Sequence, residues 1–154
     1  MLLRVENSCG LNAFMLYYIQ SGDCMNWREE VKHSIDFTFD LVKNQYKDIM
    51  FPCYGGRFYR FYLSRYYERE IYFYLTKDEL IYTPSGATFT KIPFSEITNL
   101  TIKQKGNRFH IKFTADRKYH FQLYANDWLI TEKVGNLKDN AKKFIEELEF
   151  KVKC

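Results

Sequence analysis

The 154-residue sequence lacks the long apolar run of a membrane-spanning helix and the linkers of a multi-domain chain. Its most apolar segment, residues 11–19, is about half the length of roughly 20 residues that a spanning helix needs. No basic region and small-residue cleavage site frame that segment as a signal peptide, so we interpret it as a buried helix. Because repeats and low-complexity tracts are also absent and the length is typical of one domain, we expect a single domain.

Cysteine is present, but not in a pattern that builds a site. Cys9, Cys24, Cys53 and Cys154 form no CxxC pair and have no nearby histidine that would indicate zinc. Disulfide frameworks are typical of smaller secreted domains. We therefore interpret the four cysteines as reduced thiols of a cytoplasmic protein.

The sequence contains no recognisable catalytic or phosphate-binding motif. The glycine pair at residues 55–56 predicts a turn, and the Ser-Gly pair at residues 85–86 is not followed by the lysine of a phosphate-binding loop. No nucleophile with its base and no carboxylate pair is evident. His110 and His120 can approach each other, but Lys112 lies between them and no third metal ligand is evident. We expect no enzyme activity, no cofactor and no metal.

The charge pattern lacks a polybasic segment. The net charge is +4, from 23 Lys and Arg against 19 Asp and Glu, and both signs are interspersed. Arginine and tyrosine alternate loosely over residues 57–69, which is one way to build a nucleic-acid surface. Because the net charge is modest and acids intervene, we expect an aromatic strand with solvated arginines instead and do not expect a nucleic-acid partner.

Aromatic residues are abundant, and their alternation predicts strands. The 14 Phe, 13 Tyr and 2 Trp favour a β-rich protein, since aromatic side chains suit pleated surfaces. Apolar and polar residues alternate over residues 109–114 and again over 118–124. A three-residue loop at 115–117 keeps both apolar sets on one face. This hairpin therefore pairs Lys112 with His120 and Phe113 with Tyr119.

Five further strands precede this hairpin. They are predicted at residues 57–63, 71–75, 79–82, 88–92 and 97–103, with a turn at 84–86. Pro93 ends the fourth of them because proline has no amide proton to donate to a neighbouring strand. The sequence thus predicts seven strands from residue 57 onward.

One helix is predicted at each end of the strand region. Asn136 is a plausible N-cap for a C-terminal helix whose apolar stripe comprises Leu137, Ala141, Phe144, Ile145 and Leu148. Upstream, apolar residues recur at helical spacing over residues 27–46, but residues 35–41 also alternate strictly between apolar and polar, as a strand does. We favour a helix to about His33 followed by a strand at residues 35–41. We assign residues 1–54 to an N-terminal extension packed on the core and residues 55–154 to the main domain.

Three short segments point to a known superfold. Residues 75–82 read LTKDELIY, residues 92–97 read IPFSEI, and residues 143–148 read KFIEEL within the closing helix. This combination resembles the pleckstrin-homology (PH) superfold, particularly its GRAM-like and bacterial PH-like members. The resemblance implies a mainly β, α+β fold: a two-sheet antiparallel sandwich or barrel of about seven strands closed by a C-terminal helix. The break at Pro93 would be the corner where the chain passes from one sheet to the other.

The resemblance also implies a function. It predicts a non-catalytic recognition module that binds a protein partner or the anionic head groups of a membrane surface, either in the cytoplasm or peripherally attached to a membrane. Ligands of such folds commonly meet the loops joining the first and second strands and the sixth and seventh. Those loops are predicted to hold Arg65, Arg69, Arg117 and Lys118.

Two other functions and the oligomeric state stay open at this point. Aromatic strands can enclose an apolar cavity, which would make the protein a small-ligand carrier. The abundance of Phe, Tyr, Ile, Lys and Asn is typical of AT-rich coding in a low-GC bacterium or its phages. In that setting the protein could be an inhibitor or adaptor of a host protein. Self-association is compatible with each of these functions.

Overall fold

The computed structural model describes residues 26–84 and 88–153, in which two long helices flank an antiparallel sheet. The predicted helix at residues 11–19, the turn at 84–86 in its greater part, and three of the four cysteines lie outside this part of the chain. The helices are α1 (Trp27–Gln45) and α2 (Leu137–Lys153). The strands are β1 (Met50–Phe61), β2 (Ser64–Leu75), β3 (Glu79–Pro84), β4 (Thr90–Pro93), β5 (Thr98–Lys105), β6 (Arg108–Thr114), β7 (Lys118–Tyr124), β8 (Ile130–Thr131) and β9 (Gly135–Asn136).

Strands β1 to β7 form one curled antiparallel sheet in the order β4-β3-β2-β1-β7-β6-β5. The predicted α+β class with seven strands and a closing helix is confirmed. The two sheets expected from the resemblance are joined, because β1 pairs with both β2 and β7. The sheet curls into a half-barrel capped by α2, an architecture consistent with a PH-like fold.

The break at Pro93 connects the two edges of this sheet. Pro93 ends β4, and a single 3-10 turn at Phe94–Glu96 leads into β5. Since β4 and β5 are the two edge strands, the turn carries the chain across the open side of the half-barrel. The predicted corner is present, but it joins opposite edges of one sheet instead of two separate sheets.

The concave side of the sheet holds the main core, which α2 completes. Asn136 caps α2 as predicted, because its Oδ1 accepts from the backbone N–H groups of Lys138 at 2.9 Å and Asp139 at 3.3 Å. All five residues of the predicted apolar stripe are buried. The Phe73 ring lies 5.0 Å from that of Phe121 and 6.4 Å from that of Phe144, so aromatic side chains fill the inside of the curl.

Helix α1 covers part of the outer face, and here one prediction was wrong. The strand expected at residues 35–41 is helical, since α1 runs unbroken to Gln45. A helical stripe decides the outcome, because its buried members recur at spacings of four, three and four: Val31, Ile35, Thr38 and Val42. The three apolar members, Val31, Ile35 and Val42, belong to a second core with Tyr54, Tyr72 and Tyr74 of the outer sheet face. Phe37, which favoured the strand interpretation, is 58 % exposed.

The glycine pair at 55–56 is not a turn but the interior of β1. A Cβ atom on Gly55 would lie 1.7 Å from the backbone oxygen of Gln122 in β7. Glycine is therefore required by the close approach of two strands, and not by a change in chain direction. Strand β1 begins at Met50, so the boundary placed at residue 54 falls within this strand.

Candidate functional site

The outer face of β5, β6 and β7 is strongly cationic. The side chains on this face belong to alternate residues, and none of the three strands contains Asp or Glu. Five of the side chains on this face are exposed cations: Lys103, Lys105, Arg108, Lys112 and Lys118. Five of the 23 Lys and Arg of the chain thus share a face to which these three strands contribute no carboxylate.

Strand register sets the neighbours on this face. Lys112 stands opposite His120 and Phe113 opposite Tyr119, which confirms the predicted register of the β6–β7 hairpin. His120 in turn stands opposite Phe58 of β1, and Lys112 opposite Thr101 of β5. In the next row, His110 stands between Lys103 of β5 and Gln122 of β7. The two histidines are thus diagonal neighbours.

The two histidines are the centre of a hydrogen-bonded chain. The Nδ1 atom of His110 lies 3.1 Å from Nε2 of His120, and Nδ1 of His120 lies 3.5 Å from an Arg65 nitrogen. Beyond them, the Gln122 side-chain nitrogen lies 3.2 Å from Nε2 of His110, and Gln122 Oε1 accepts from the Tyr67 hydroxyl at 2.8 Å. Because arginine only donates, His120 Nδ1 accepts from Arg65 and its Nε2 donates to His110 Nδ1. The proton of the His110 ring is then on Nε2, so its contact with the Gln122 nitrogen is not a hydrogen bond. This assignment requires both rings to be neutral.

Burial and nearby cations keep the rings neutral. Partial burial, followed in size by Lys112, His110 and Arg65, lowers the pKa of His120 to about 4. Partial burial and then the positive charges of the flanking lysines lower the pKa of His110 as well. Phe58 stacks on His120 with ring centroids 4.4 Å apart, and the Arg65 guanidinium lies 5.2 Å from the centre of the Phe58 ring.

These side chains line a groove of about 650 Å³, which we call the histidine groove. It crosses the outer face from β2 to β5. Its polar lining includes Arg65, Lys103, Lys105, His110, Lys112 and His120. No carboxylate lines it within residues 26–84 and 88–153, so its field is positive throughout.

A second space, the hairpin cleft, opens where β1 and β7 separate. Their pairing ends at Phe58 and His120, and beyond this point the β1–β2 and β6–β7 hairpins diverge. The cleft has a volume of about 590 Å³. The cations that line it are Arg57, Arg60, Arg65, Lys112, Arg117 and Lys118.

The cleft brings together three of the four residues predicted to bind a ligand. Arg65, Arg117 and Lys118 all line it, whereas Arg69 does not. Arg65 and Arg69 were predicted in a loop, and that placement was wrong, because both lie within β2. The strand extends further than expected since the turn between β1 and β2 comprises only Tyr62 and Leu63.

Acids near the cleft are already paired. Glu68 accepts from Arg57 Nε at 2.5 Å, and Arg57 also donates to the Tyr82 hydroxyl at 3.2 Å. Asp116 accepts from the Tyr119 hydroxyl at 2.7 Å and from Arg117 at 3.3 Å, and the Tyr119 bond lowers the pKa of Asp116. Within the described residues, Arg60, Arg65 and Lys118 make no ion pair with a carboxylate. The cleft therefore keeps an excess of positive charge.

Arg69 lines a different groove of about 720 Å³ beside α1. Aromatic side chains form half of its lining: Trp27, Tyr54, Phe58, Tyr67, Tyr124 and Trp128. Glu70 also lines it, and burial followed by the charge of Glu30 raises the pKa of the Glu70 carboxyl. Arg69 thus shares its groove with an acid as well as with Arg108 of the cationic face.

The tip of the β1–β2 hairpin is apolar and exposed. Leu63 is 98 % exposed, Tyr62 is 87 % exposed and Phe61 is 59 % exposed. Arg60 and Arg65 stand opposite each other one pair below the tip, and both are exposed. Three apolar side chains thus project into solvent directly above a pair of cations.

Sequence reasoning missed the hairpin tip and the lysines of β5. The tip residues were assigned to the end of the strand predicted at residues 57–63, and a strand assignment does not predict that they are exposed. The lysines left a readable signal, because residues 97–115 contain no Asp or Glu. That gap in an otherwise mixed charge pattern marks the cationic face, although it does not show which strands adjoin it.

Comparison with known proteins supplies no further assignment. No family model matches the chain, and no significant match was found among curated proteins or solved structures. In the part of the chain that the structure describes, three or more His, Cys, Asp or Glu side chains nowhere come together as a metal site. Neither described helix has the length and apolar character needed to cross a bilayer.

Proposed function

We propose that this protein is a non-catalytic, PH-like recognition module that attaches peripherally to anionic membrane surfaces on the cytoplasmic side. The observation that carries the proposal is the exposed apolar tip of the β1–β2 hairpin above the cations of the hairpin cleft. The tip side chains would enter the interfacial region of the bilayer. Arg60, Arg65, Arg117 and Lys118 would contact the head groups.

Neither turn chemistry nor packing accounts for the residues at the tip. Two-residue hairpin turns favour Asn-Gly or Asp-Gly, whereas this turn is Tyr62-Leu63. Tyr62 has a φ of 58°, a left-handed conformation that costs a non-glycine residue about 1 kcal/mol or more. Tyr62 packs its ring edge-on against Phe61 at 4.6 Å, but both rings are exposed and Leu63 is almost fully exposed, so burial within the fold does not offset this cost. Burial of the Tyr62 and Leu63 side chains in the interface of a bilayer would explain why these residues stand at the turn.

Charge and shape favour a membrane over a protein partner. A specific protein interface buries about 800 Å² on each side, which a narrow two-residue turn does not offer by itself. Apolar and aromatic side chains beside basic residues match the bilayer interface, and each cation near an anionic leaflet contributes about 1 kcal/mol. Phe73, Phe121 and Phe144 occupy the inside of the curl, so the structure favours surface binding over the carriage of a small ligand.

The proposal can be tested by sedimentation with phosphatidylserine vesicles at low and moderate salt. Three proteins are compared: wild type, a tip variant with Tyr62→Ser and Leu63→Ser, and a cation variant with Arg60→Glu and Arg65→Glu. Phe150→Ser on α2 is the control for the tip variant, since Phe150 is apolar and 63 % exposed. Lys142→Glu with Lys143→Glu is the control for the cation variant, because it makes the same charge change at exposed positions of α2.

We expect wild-type binding that weakens with salt, and marked loss in the tip and cation variants but not in their controls. Absence of wild-type binding at low salt would refute membrane attachment and favour a protein partner. Equal losses of binding in the test and control variants would show that nonspecific electrostatic or hydrophobic adsorption, and not this hairpin, causes the binding.

A further inference from the structure

The histidine groove is distinct from the hairpin tip in position and in composition. It lies on the flat outer face of β5, β6 and β7, and its far wall is formed by Lys103 and Lys105 of β5. These two lysines stand opposite His110 and Arg108 respectively. They play no part in the proposed membrane contact, so the groove raises a separate question about its ligand.

Fixed positive charge surrounds the groove from several strands. Arg65 approaches from β2, Lys112 from β6, and the two lysines from β5, while Arg108 lies next to the groove on β6. Like charges at such short range repel one another. No carboxylate within the described part of the chain lines the groove to offset that repulsion. A bound anion would do so.

The two histidines at the floor add directional donors when an anion binds. His120 lies between Phe58 of β1 and Lys112 of β6, and it contacts Arg65 of β2. His110 lies between Lys103 and Gln122. An anion placed among these groups would stabilise the protonated rings, which could then donate to its oxygens. Small oxyanions are held in proteins by such sets of charged donors.

We propose that the histidine groove binds the phosphate group of a phosphomonoester. Such a group carries close to two negative charges near neutral pH and three strong acceptor oxygens, which match several cations and ring N–H donors arranged around one space. A phosphodiester has one negative charge and fewer free oxygens, so it matches the groove less well. The volume of about 650 Å³ leaves room for the organic part of the ligand.

The phosphate can come from a soluble metabolite or from a lipid head group, and two probes separate these sources. Glycerol 3-phosphate is titrated into the full-length protein and followed by NMR signals of the histidine rings. Phosphatidic acid, which presents a similar group on a bilayer, is supplied in phosphatidylcholine vesicles and followed by sedimentation. The variant is Lys103→Glu with Lys105→Glu, and the control is Lys142→Glu with Lys143→Glu.

We expect saturable shifts of the His110 and His120 rings, a higher ring pKa in the bound protein, and affinity at least about tenfold lower in the variant than in the control. Binding of glycerol 3-phosphate supports a soluble ligand, and binding to phosphatidic acid vesicles alone supports a lipid source. The proposal is overturned if neither probe binds, if the shifts map away from the histidines, or if variant and control bind equally. The Tyr62→Ser, Leu63→Ser protein should keep its affinity for glycerol 3-phosphate, which separates this result from failure of the membrane proposal.

Discussion

Single residues on the outer face have properties that their own sequence positions do not reveal. His110 and His120 are ten residues apart, yet antiparallel pairing places their ring nitrogens 3.1 Å apart. The sequence predicts this approach, because the loop length fixes the register. It does not predict the lowered pKa values, since their largest cause is burial in the fold, and Arg65, which also lowers the pKa of His120, reaches the ring from β2, 55 residues away in sequence.

The pH dependence of stability should report on His120. The folded protein holds the pKa of this ring at about 4, below the value of about 6.5 in an unfolded chain. Between these values the unfolded chain binds more protons, so the free energy of unfolding falls as the pH falls from about 6.5 to about 4. We predict a smaller fall for His120→Asn than for wild type, measured by urea unfolding at several pH values.

A matched variant at His33 shows whether the effect belongs to the groove. His33 is exposed on α1 and does not line the histidine groove, so His33→Asn is the control for removing a histidine elsewhere in the chain. A fall in His120→Asn as steep as that in wild type would mean that the folded environment does not disfavour the charged ring.

At the scale of elements, predictions succeeded where local pattern and packing agree. Asn136 caps α2, and the apolar stripe of that helix lies on the sheet, because a cap and a 3.6-residue period are local features. Residues 35–41 fit both the helical period and the alternation of a strand, and packing against the tyrosines of β1 and β2 stabilises the helix. The glycines at 55–56 were misread because their causes lie on neighbouring strands: Gln122 of β7 leaves no space for a Cβ atom on Gly55, and Tyr67 and Glu68 of β2 leave none on Gly56.

Packing of α2 can be measured through Leu148. This side chain is fully buried in the main core, so Leu148→Ala should lower the free energy of unfolding by about 2 to 5 kcal/mol. Phe150→Ala serves as control, since Phe150 lies on the same helix but is 63 % exposed. Denaturant unfolding that shows both variants within a few tenths of a kcal/mol of wild type would contradict the docking of α2.

At the scale of the whole molecule, the fold separates charges that are interspersed in the sequence onto different surfaces. Acids and bases are interspersed in the sequence, but curling of the sheet places a run without acids, residues 97–115, on and beside one outer face. The same fold directs the β1–β2 tip and the β6–β7 turn toward one end, where Arg65, Arg117 and Lys118 meet. Sequence reasoning found these three cations through the resemblance. It could not find the apolar tip, because exposure depends on how far each hairpin extends.

The central claim is that the β1–β2 tip enters an anionic bilayer, and a tryptophan at Leu63 tests it most directly. Leu63→Trp places the probe at a side chain that is 98 % exposed, and Phe150→Trp places it on α2 as the control. The emission of Trp27 and Trp128 is removed by subtracting the wild-type spectrum. With phosphatidylserine vesicles containing brominated acyl chains, we predict a blue shift and quenching of the Leu63→Trp signal and neither change for Phe150→Trp. An unchanged Leu63→Trp spectrum at a lipid concentration that sediments the protein would contradict the claim.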